Sequence, residues 1–509
     1  MQPNSRILRI VLSILFIFSL ILQVGQVNAQ RLLAGDRGTI QDLINAAPDG
    51  GTVDLPAGIY NETLIINKNL TLNGFGLNQT ILQPAGAGQR VITVGTGKNL
   101  TIINLQIKNG QQPGGTGGGV YMTDGNLTVD LVIFQNNSAA YGGAIFQETA
   151  TKSLTISHSY FFDNTASIDG GAIYSKGNTS VNAYLLNNTA GRHGGGIHAQ
   201  SGSLTILFGK FEQNTATTGN GGGVDVNDSV TINGTVFESN SAGDLGGGIS
   251  QWNPGKTVSM EAAIFDSNTT INKGAGAYLT SHATISYTKF ISNITNSGGT
   301  SDTFGGGLYA SNGADFTYSK FIDNQVLCSG CSLRMGGGVF TSGVFNGTNL
   351  LFARNVAQFG SALFFSNATG WLNHVTIGQP SRENNSAILV NSGSNLTMYN
   401  SIVSSYPTGV YIQGTLNEGY NIFFNNQNNF QIDGGTHNVN GPTQINIDPL
   451  FKDPTNDDFH LRAFSPAIGT GIDTPIKVIY DLDVKSRNGR WDIGAYQFWT
   501  NLYLPLIVK

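Results

Sequence analysis

His198 and Asp225 head the residues that could do chemistry in this chain of 509 residues. Each stands directly after an aliphatic residue that closes a glycine cluster, in Gly194-Gly195-Gly196-Ile197-His198 and Gly221-Gly222-Gly223-Val224-Asp225. Lys176, Gln200 and Asn227 occupy the position two residues further along their strands, and Asp169, His193 and Asp244 stand near the start of glycine clusters. A base, a carboxylate and a lysine on adjacent coils fit β-elimination of a uronate. Carboxylates or Ca²⁺ would neutralise the sugar acid while Lys176 or His198 takes the C5 proton. Two carboxylates at suitable separation would instead hydrolyse a glycosidic bond. The plainer reading is solvated polar surface. The same column is aromatic on either side: Tyr121, Phe146 and Tyr174 before, and Tyr278, Tyr309, Phe340 and Phe364 after. Strand alternation points these residues away from a core that takes the preceding aliphatic residue. Rings on a solvent-facing sheet suit sugar stacking. Loops that cover them, or a shifted register, would make them packing residues.

What must position these side chains is a repeat. A glycine word (Gly142-Gly143-Ala144-Ile145) alternates with a Phe-x-x-Asn word (Phe161 to Asn164). From Phe134 through Phe161, Leu185, Phe211, Phe237, Phe265, Phe290, Phe321 and Phe352 the steps are 27, 24, 26, 26, 28, 25, 31 and 31 residues. Such a period marks a solenoid, which grows by adding coils. Short strands separated by turns fit each coil. At ~4.8 Å per coil, roughly fourteen or fifteen coils make about 70 Å of stack. The glycines supply positive φ at a corner, and the Asn is expected both to tolerate left-handed φ and to bond its neighbours along the axis.

Composition supports an ordered β protein. Charged residues are only 11 % and aromatic residues 10 %. A net charge of −5 without a basic run argues against nucleic acid as a partner. Arg6 and Arg9, the apolar stretch Ile10 to Leu22 and Val27-Asn28-Ala29 read as an export signal cleaved before Gln30. The mature chain is then extracellular or on the cell surface, with no segment that spans a membrane. The two cysteines, Cys328 and Cys331, sit in the insertion of a longer coil. In an exported protein they read as a local disulfide.

Gly38 to Ala47 has the apolar spacing of a short helix that covers the open end of a coil stack. The words that follow it, Ala46-Ala47-Pro48-Asp49-Gly50-Gly51-Thr52-Val53, Pro56-Ala57-Gly58-Ile59-Tyr60 and Asn69-Leu70-Thr71-Leu72, resemble the opening of right-handed parallel β-helix proteins of the pectin-lyase-like superfamily. That resemblance implies the fold, since lyases, esterases, glycosidases and adhesins share it. None of the compact catalytic words of its enzymatic members is present: no dense Asp cluster for Ca²⁺, and no Asn-Thr-Asp followed by an Asp-Asp pair. The repeats from Gly117 to Leu363 resemble those of bacterial polymorphic outer-membrane proteins, which implies a passenger-type surface domain. No C-terminal run of amphipathic strands of barrel length accompanies them, so the resemblance does not extend to self-translocation. Asp448-Pro449-Leu450-Phe451, Ser465-Pro466-Ala467-Ile468-Gly469 and Asp492-Ile493-Gly494-Ala495-Tyr496 resemble the terminal module called choice-of-anchor Q. Asp483, Arg487 and Asp492 are its charged positions, expected to form an internal ion pair or hold a cation.

The expectation is an all-β right-handed parallel β-helix, a three-sheet solenoid with an N-terminal capping helix and a small C-terminal module. Residues 1–29 are the signal peptide, 30–116 the cap and first coils, 117–440 the repeats, 441–498 the module and 499–509 an apolar tail. The leading function is a non-catalytic adhesin or glycan-binding scaffold, with a polysaccharide or cell-surface glycan as partner. The alternative is a lyase or glycoside hydrolase with His198, Asp225 and Lys176 as catalytic residues, and with Ca²⁺ as a cofactor only in the lyase case.

Overall fold

A computed structural model describes residues 38–299, 301–378, 385–487 and 489–499. The export signal and the apolar tail beyond Trp499 lie outside the described residues. Among the described residues, the strands from Gly51–Leu55 to Gln444–Ile445 form a parallel β-helix. In one coil, Val224–Val226 pairs in parallel with Ile197–Ala199 and Ile249–Gln251, and Val230–Asn233 with Leu204–Leu207 and Val258–Glu261. Val236–Glu238 and Ser241–Ala242 continue the coil, each paired in the same way. The second and third of these strands run on as one in Leu127–Gln135 and Gly313–Ile322, bent at Leu131 and Tyr318, where φ turns positive. Each coil thus contributes a strand after the glycine word, a long bent strand, and a short strand after the Asn turn.

The core follows from the repeat. The aliphatic residue of each glycine word and the Phe of each Phe-x-x-Asn word are buried inside. Phe211, Phe237, Phe265, Phe290, Phe321 and Phe352 stack with ring centroids 4.8–5.0 Å apart, the spacing of the coils themselves. The first glycine of each word sits at positive φ. At Gly221 (φ +66°) a Cβ would stand 2.2 Å from the Val224 carbonyl oxygen, so no side chain fits this corner.

The asparagines depart from the expectation in one respect. The left-handed residue is the one before each Asn, such as Gln213, Ser239 and Ser267 at φ of 54, 55 and 58°. That corner frees the Asn side chain to turn inward, where it is fully buried. Asn240 Nδ2 donates to Asn268 Oδ1 at 2.9 Å and to Phe211 O at 2.9 Å, while its Oδ1 accepts both N–H and Nδ2–H of Asn214 at 3.0 Å. The same pattern runs from Asn137 to Asn355.

The helix α1, Ile40–Ala46, buries Ile40 and Ile44 at the N-terminal end of the stack. Glu62 accepts the Ile40 and Gln41 amides at 2.9 and 3.1 Å, and Lys68 Nζ donates to the Asn45 and Ala47 carbonyls at 2.9 and 2.6 Å. An anion at the helix start and a cation at its end both oppose the orphan groups there.

The C-terminal segment packs on the flank of the last coils. Phe451, Phe459, Leu461, Leu482, Ile493 and Tyr496 form one buried cluster with Leu351, Ala353, Ile402 and Ile422. Its polar seam follows the left-handed corners. Asn349, His374 and Asn400, all at positive φ, bond Tyr480 O, Asp492 O and Ile472 O at 2.7, 3.0 and 2.9 Å. Here the expected ion pair is corrected. Arg487 is fully buried, yet it donates to the carbonyls of Asp492, Gly494 and Ala495 and to Asn349 Oδ1. Burial pulls its pKa down to about 10. The Asp492 carboxylate is engaged elsewhere, accepting the Gly469 and Phe498 amides, and Asp483 pairs with His460 instead.

His460 sits between Asp458 and Asp483, its ring nitrogens 2.5 and 2.7 Å from their oxygens, with Lys485 3.8 Å from Asp483 and the Tyr496 ring beside it. The Asp483 hydrogen bond, opposed by burial and helped by Asp458, raises the His460 pKa above its ordinary value. The same bond lowers that of Asp483, against desolvation. His460 therefore stabilises fully below pH ~6.5 and loses that contribution as pH climbs through its raised folded pKa. Asp483 contributes above pH ~3.9 and loses it as pH falls through its lowered value. We expect the wild type to lose more thermal stability between pH 6 and 9 than His460→Gln. Parallel slopes in the two melting series would reject this pair as the cause.

Candidate functional site

Two columns of residues face each other across every glycine corner. One column follows the glycine word: Tyr121, Phe146, Tyr174, His198, Asp225, Ser250, Tyr278, Tyr309, Phe340 and Phe364, in register from coil to coil. The other directly precedes it and includes Tyr141, Asp169, His193, Asn220, Leu245, Lys273 and Phe304. Its carbonyls accept the amide of the first glycine of the neighbouring coil, as Asn220 O accepts from Gly194 at 2.9 Å.

The first column stacks as alternation predicts. Phe146 lies 5.8 Å from Tyr121 and 4.9 Å from Tyr174, and Tyr278, Tyr309, Phe340 and Phe364 follow at 5.1, 5.0 and 5.2 Å. An open aromatic ladder is nevertheless not what these rings make. Phe146, Tyr174, Phe340 and Phe364 are buried, and Tyr121, Tyr278 and Tyr309 are half-buried. The second column is the cover. Tyr141 meets Tyr174 edge-on at 5.5 Å, and Phe304 packs on Tyr309 and Phe340 at 6.4 and 5.0 Å. Arg90 lies 4.5 Å over the Tyr121 ring. Each glycine corner folds one column onto the other, so "away from the core" does not mean "toward solvent".

His198 and Asp225 do come together. Nδ1 of His198 stands 2.9 Å from Asp225 Oδ2, at ion-pair distance but without the alignment of a hydrogen bond. Nε2 lies 3.1 Å from Gln200 Oε1, which also accepts the Tyr174 hydroxyl at 2.9 Å. Trp252 Nε1 donates to Asp225 Oδ1 at 3.0 Å. Burial pulls the His198 pKa down, but the adjacent Asp225 carboxylate, with Asp169 and Gln200 behind it, outweighs that and leaves it raised. Both ring nitrogens thus face oxygens, Nδ1 that of Asp225 and Nε2 that of Gln200. At 3 and 1 % exposure, His198 and Asp225 form an enclosed pair.

Lys176 is held elsewhere, 3.5 Å from Glu148 and 5.9 Å from the centre of the Phe146 ring. Asp169 binds Arg192 at 3.0 and 2.6 Å. His193 accepts the Asn220 amide on Nδ1 at 3.2 Å, and burial, despite Asp225 and Asp169, lowers its pKa. Among the described residues no three His, Cys, Asp or Glu side chains gather as a metal site.

The open space lies in the coils that follow. A groove of about 690 Å³ is lined by Asp244, Asn272, Lys273, Asp302, Phe304 and Ser332, among others. Lys273 Nζ stands 5.3 Å over Phe304 and 5.1 Å over Tyr309. Asn272 is held by Asp244 at 2.7 Å, and Asp302 accepts the Leu333 amide at 2.9 Å. Ser332 comes from the insertion, where Cys328 and Cys331 are paired as a disulfide with Cα atoms 5.8 Å apart. Of these residues only Asp244 was a sequence candidate. Lys273 and Phe304 belong to the column before the glycine word, and reading that column as a second register would have found them.

The Chlamydia polymorphic membrane protein repeat matches residues 131–148 and 158–176. No curated protein matches the chain. Among solved structures, the A-module of mannuronan C-5 epimerase AlgE4 from Azotobacter vinelandii is similar at 14 % identity and a TM-score of 0.31, over 80 % of this chain and 92 % of that one. A PL6 alginate lyase in complex with a trisaccharide follows at 10 % and 0.29, over 80 and 82 %. The tailspike of E. coli bacteriophage HK620 with a pentasaccharide stands at 11 % and 0.27, over 80 and 76 %. The fold rests on the strand register itself, and at these scores the structural likenesses add nothing to it. The chain is a parallel β-helix that carries repeats of the polymorphic membrane protein type.

Proposed function

We propose that this protein is an exported, surface-located β-helix that binds acidic glycans without turning them over, through the groove between Asp244 and Ser332. The observation that carries this reading is Lys273, held above two aromatic rings in an open groove, while the one His–Asp pair among the sequence candidates is sealed. An ammonium beside ring faces offers a uronate both a counter-charge and a stacking surface. The repeat type favours a cell-surface setting, and residues 1–29 would direct export. No described helix is long and apolar enough to cross a membrane.

The test is retention of the purified chain on polygalacturonate and alginate, with unsaturated-product absorbance and reducing ends followed in the same samples. We expect binding without product, weakened about tenfold by Lys273→Met, in line with the loss of one charge-assisted contact. Product formation abolished by His198→Ala or Asp225→Asn would establish the lyase or hydrolase alternative instead. Undiminished retention of Lys273→Met would remove the groove from the account.

A further inference from the structure

We propose a second sugar site, for a neutral glycan, on the last coils of the β-helix, independent of the groove reading above. A pocket of about 460 Å³ lies there between the outer face of the long bent sheet and the loop around Asp473. Its volume falls within the ~300–1,000 Å³ of small-molecule sites and fits one or two hexose rings.

Three aromatic residues line it: Trp371, Tyr399 and Tyr420. Trp371 and Tyr399 are 5.6 Å apart and inclined by 44°, two faces of one cleft. The indole Nε1 of Trp371 is buried and has no hydrogen-bond partner. With no accessible surface on that nitrogen, what Trp371 offers an occupant is its ring. Tyr420 is held in place by Gly441, whose absent Cβ would stand 2.3 Å from its Cε2.

The opposite wall is preorganised. Asn400 grips the loop at both groups of Ile472, accepting its amide at 2.8 Å and donating to its carbonyl at 2.9 Å. Asn373 donates to Thr474 Oγ1 at 2.7 Å. Asp473 stands between these two pinned residues, exposed at the pocket. Its carboxylate, with the amides and hydroxyl of Asn417, Asn440 and Thr397, presents the polar groups that read sugar hydroxyls beside rings that read the sugar's C–H face. Asp473 is the one charged residue lining this pocket, so it disfavours a uronate.

The full chain labelled with 5-fluorotryptophan tests this by ¹⁹F NMR, its four tryptophans being assigned with Trp371→Phe. Maltotetraose, cellotetraose, mannotetraose and trigalacturonate are added in turn to millimolar concentration. We expect the Trp371 signal to shift saturably with at least one neutral tetrasaccharide and not with trigalacturonate. Asp473→Asn should weaken that binding at least tenfold, and Lys273→Met should leave it unchanged. A Trp371 signal that none of the neutral sugars moves, or that trigalacturonate moves as well, overturns the proposal. Loss of the response in Lys273→Met would assign it to the other groove.

Discussion

Arg487→Leu is expected to release the C-terminal segment from the β-helix. The guanidinium is buried beneath the last coils and donates to three carbonyls of its own segment, while Asn349 Oδ1, on the β-helix, accepts from it at 2.9 Å. Leucine fills part of the volume but satisfies none of these acceptors. Each buried carbonyl left without a donor costs about 1–3 kcal/mol, so a total above ~4 kcal/mol is expected. Lysine keeps the charge but not the fork, and should recover only part of the loss. Hydrogen exchange should show residues 478–497 losing protection in Arg487→Leu while the Phe-stacked coils keep theirs. Unchanged protection across those residues would mean that the apolar cluster alone holds the segment.

The second large effect is expected at Asn240. Its amide serves two coils at once, accepting from Asn214 and donating to Asn268 and Phe211. Asn240→Ala leaves a carbonyl and an amide unpaired in a fully dry row, for about 3 kcal/mol. Asn240→Asp is expected to cost more, because a buried carboxylate cannot donate to the Phe211 carbonyl or to Asn268 Oδ1 and brings an unpaired charge. As a solenoid, the molecule should confine the damage to neighbouring coils. Exchange should rise around Phe211 to Asn268 and stay unchanged around Val403 to Ile412. A uniform rise along the chain would show instead that the coils unfold as one unit. An exposed control, Asn233→Ala, loses a surface contact to Glu261 and should cost less than ~0.5 kcal/mol.

Much of the scaffold was legible before any coordinates. The glycine and Phe-x-x-Asn words recur once per coil length of chain, a period that stacking of like coils satisfies. The inward aliphatic residues, the Phe column and the adjacency of His198 and Asp225 all follow from register, which is a one-dimensional property. What register cannot state is what lies over a side chain. Trp252 closes Asp225 from a neighbouring coil, and Gln200 takes the other nitrogen of His198, so the pair is enclosed where alternation alone would place it at the surface.

The same limit explains the other differences. The left-handed residue precedes the Asn, because the inward turn of the amide needs the corner one position earlier. The Lys273 groove arises where turns of unequal length leave space beside Phe304, and unequal lengths are where the period is silent. Arg487 finds carbonyls, not carboxylates, because the turns around Asp492 and Gly494, five and seven residues further on, fold their backbone over it. The sequence by itself determined the coil, its core and the order of its columns, because these repeat locally. Only the tertiary structure decided which of those columns meets solvent, because that depends on turns and on a C-terminal segment folding back across 72 to 131 residues to corners at Asn349, His374 and Asn400.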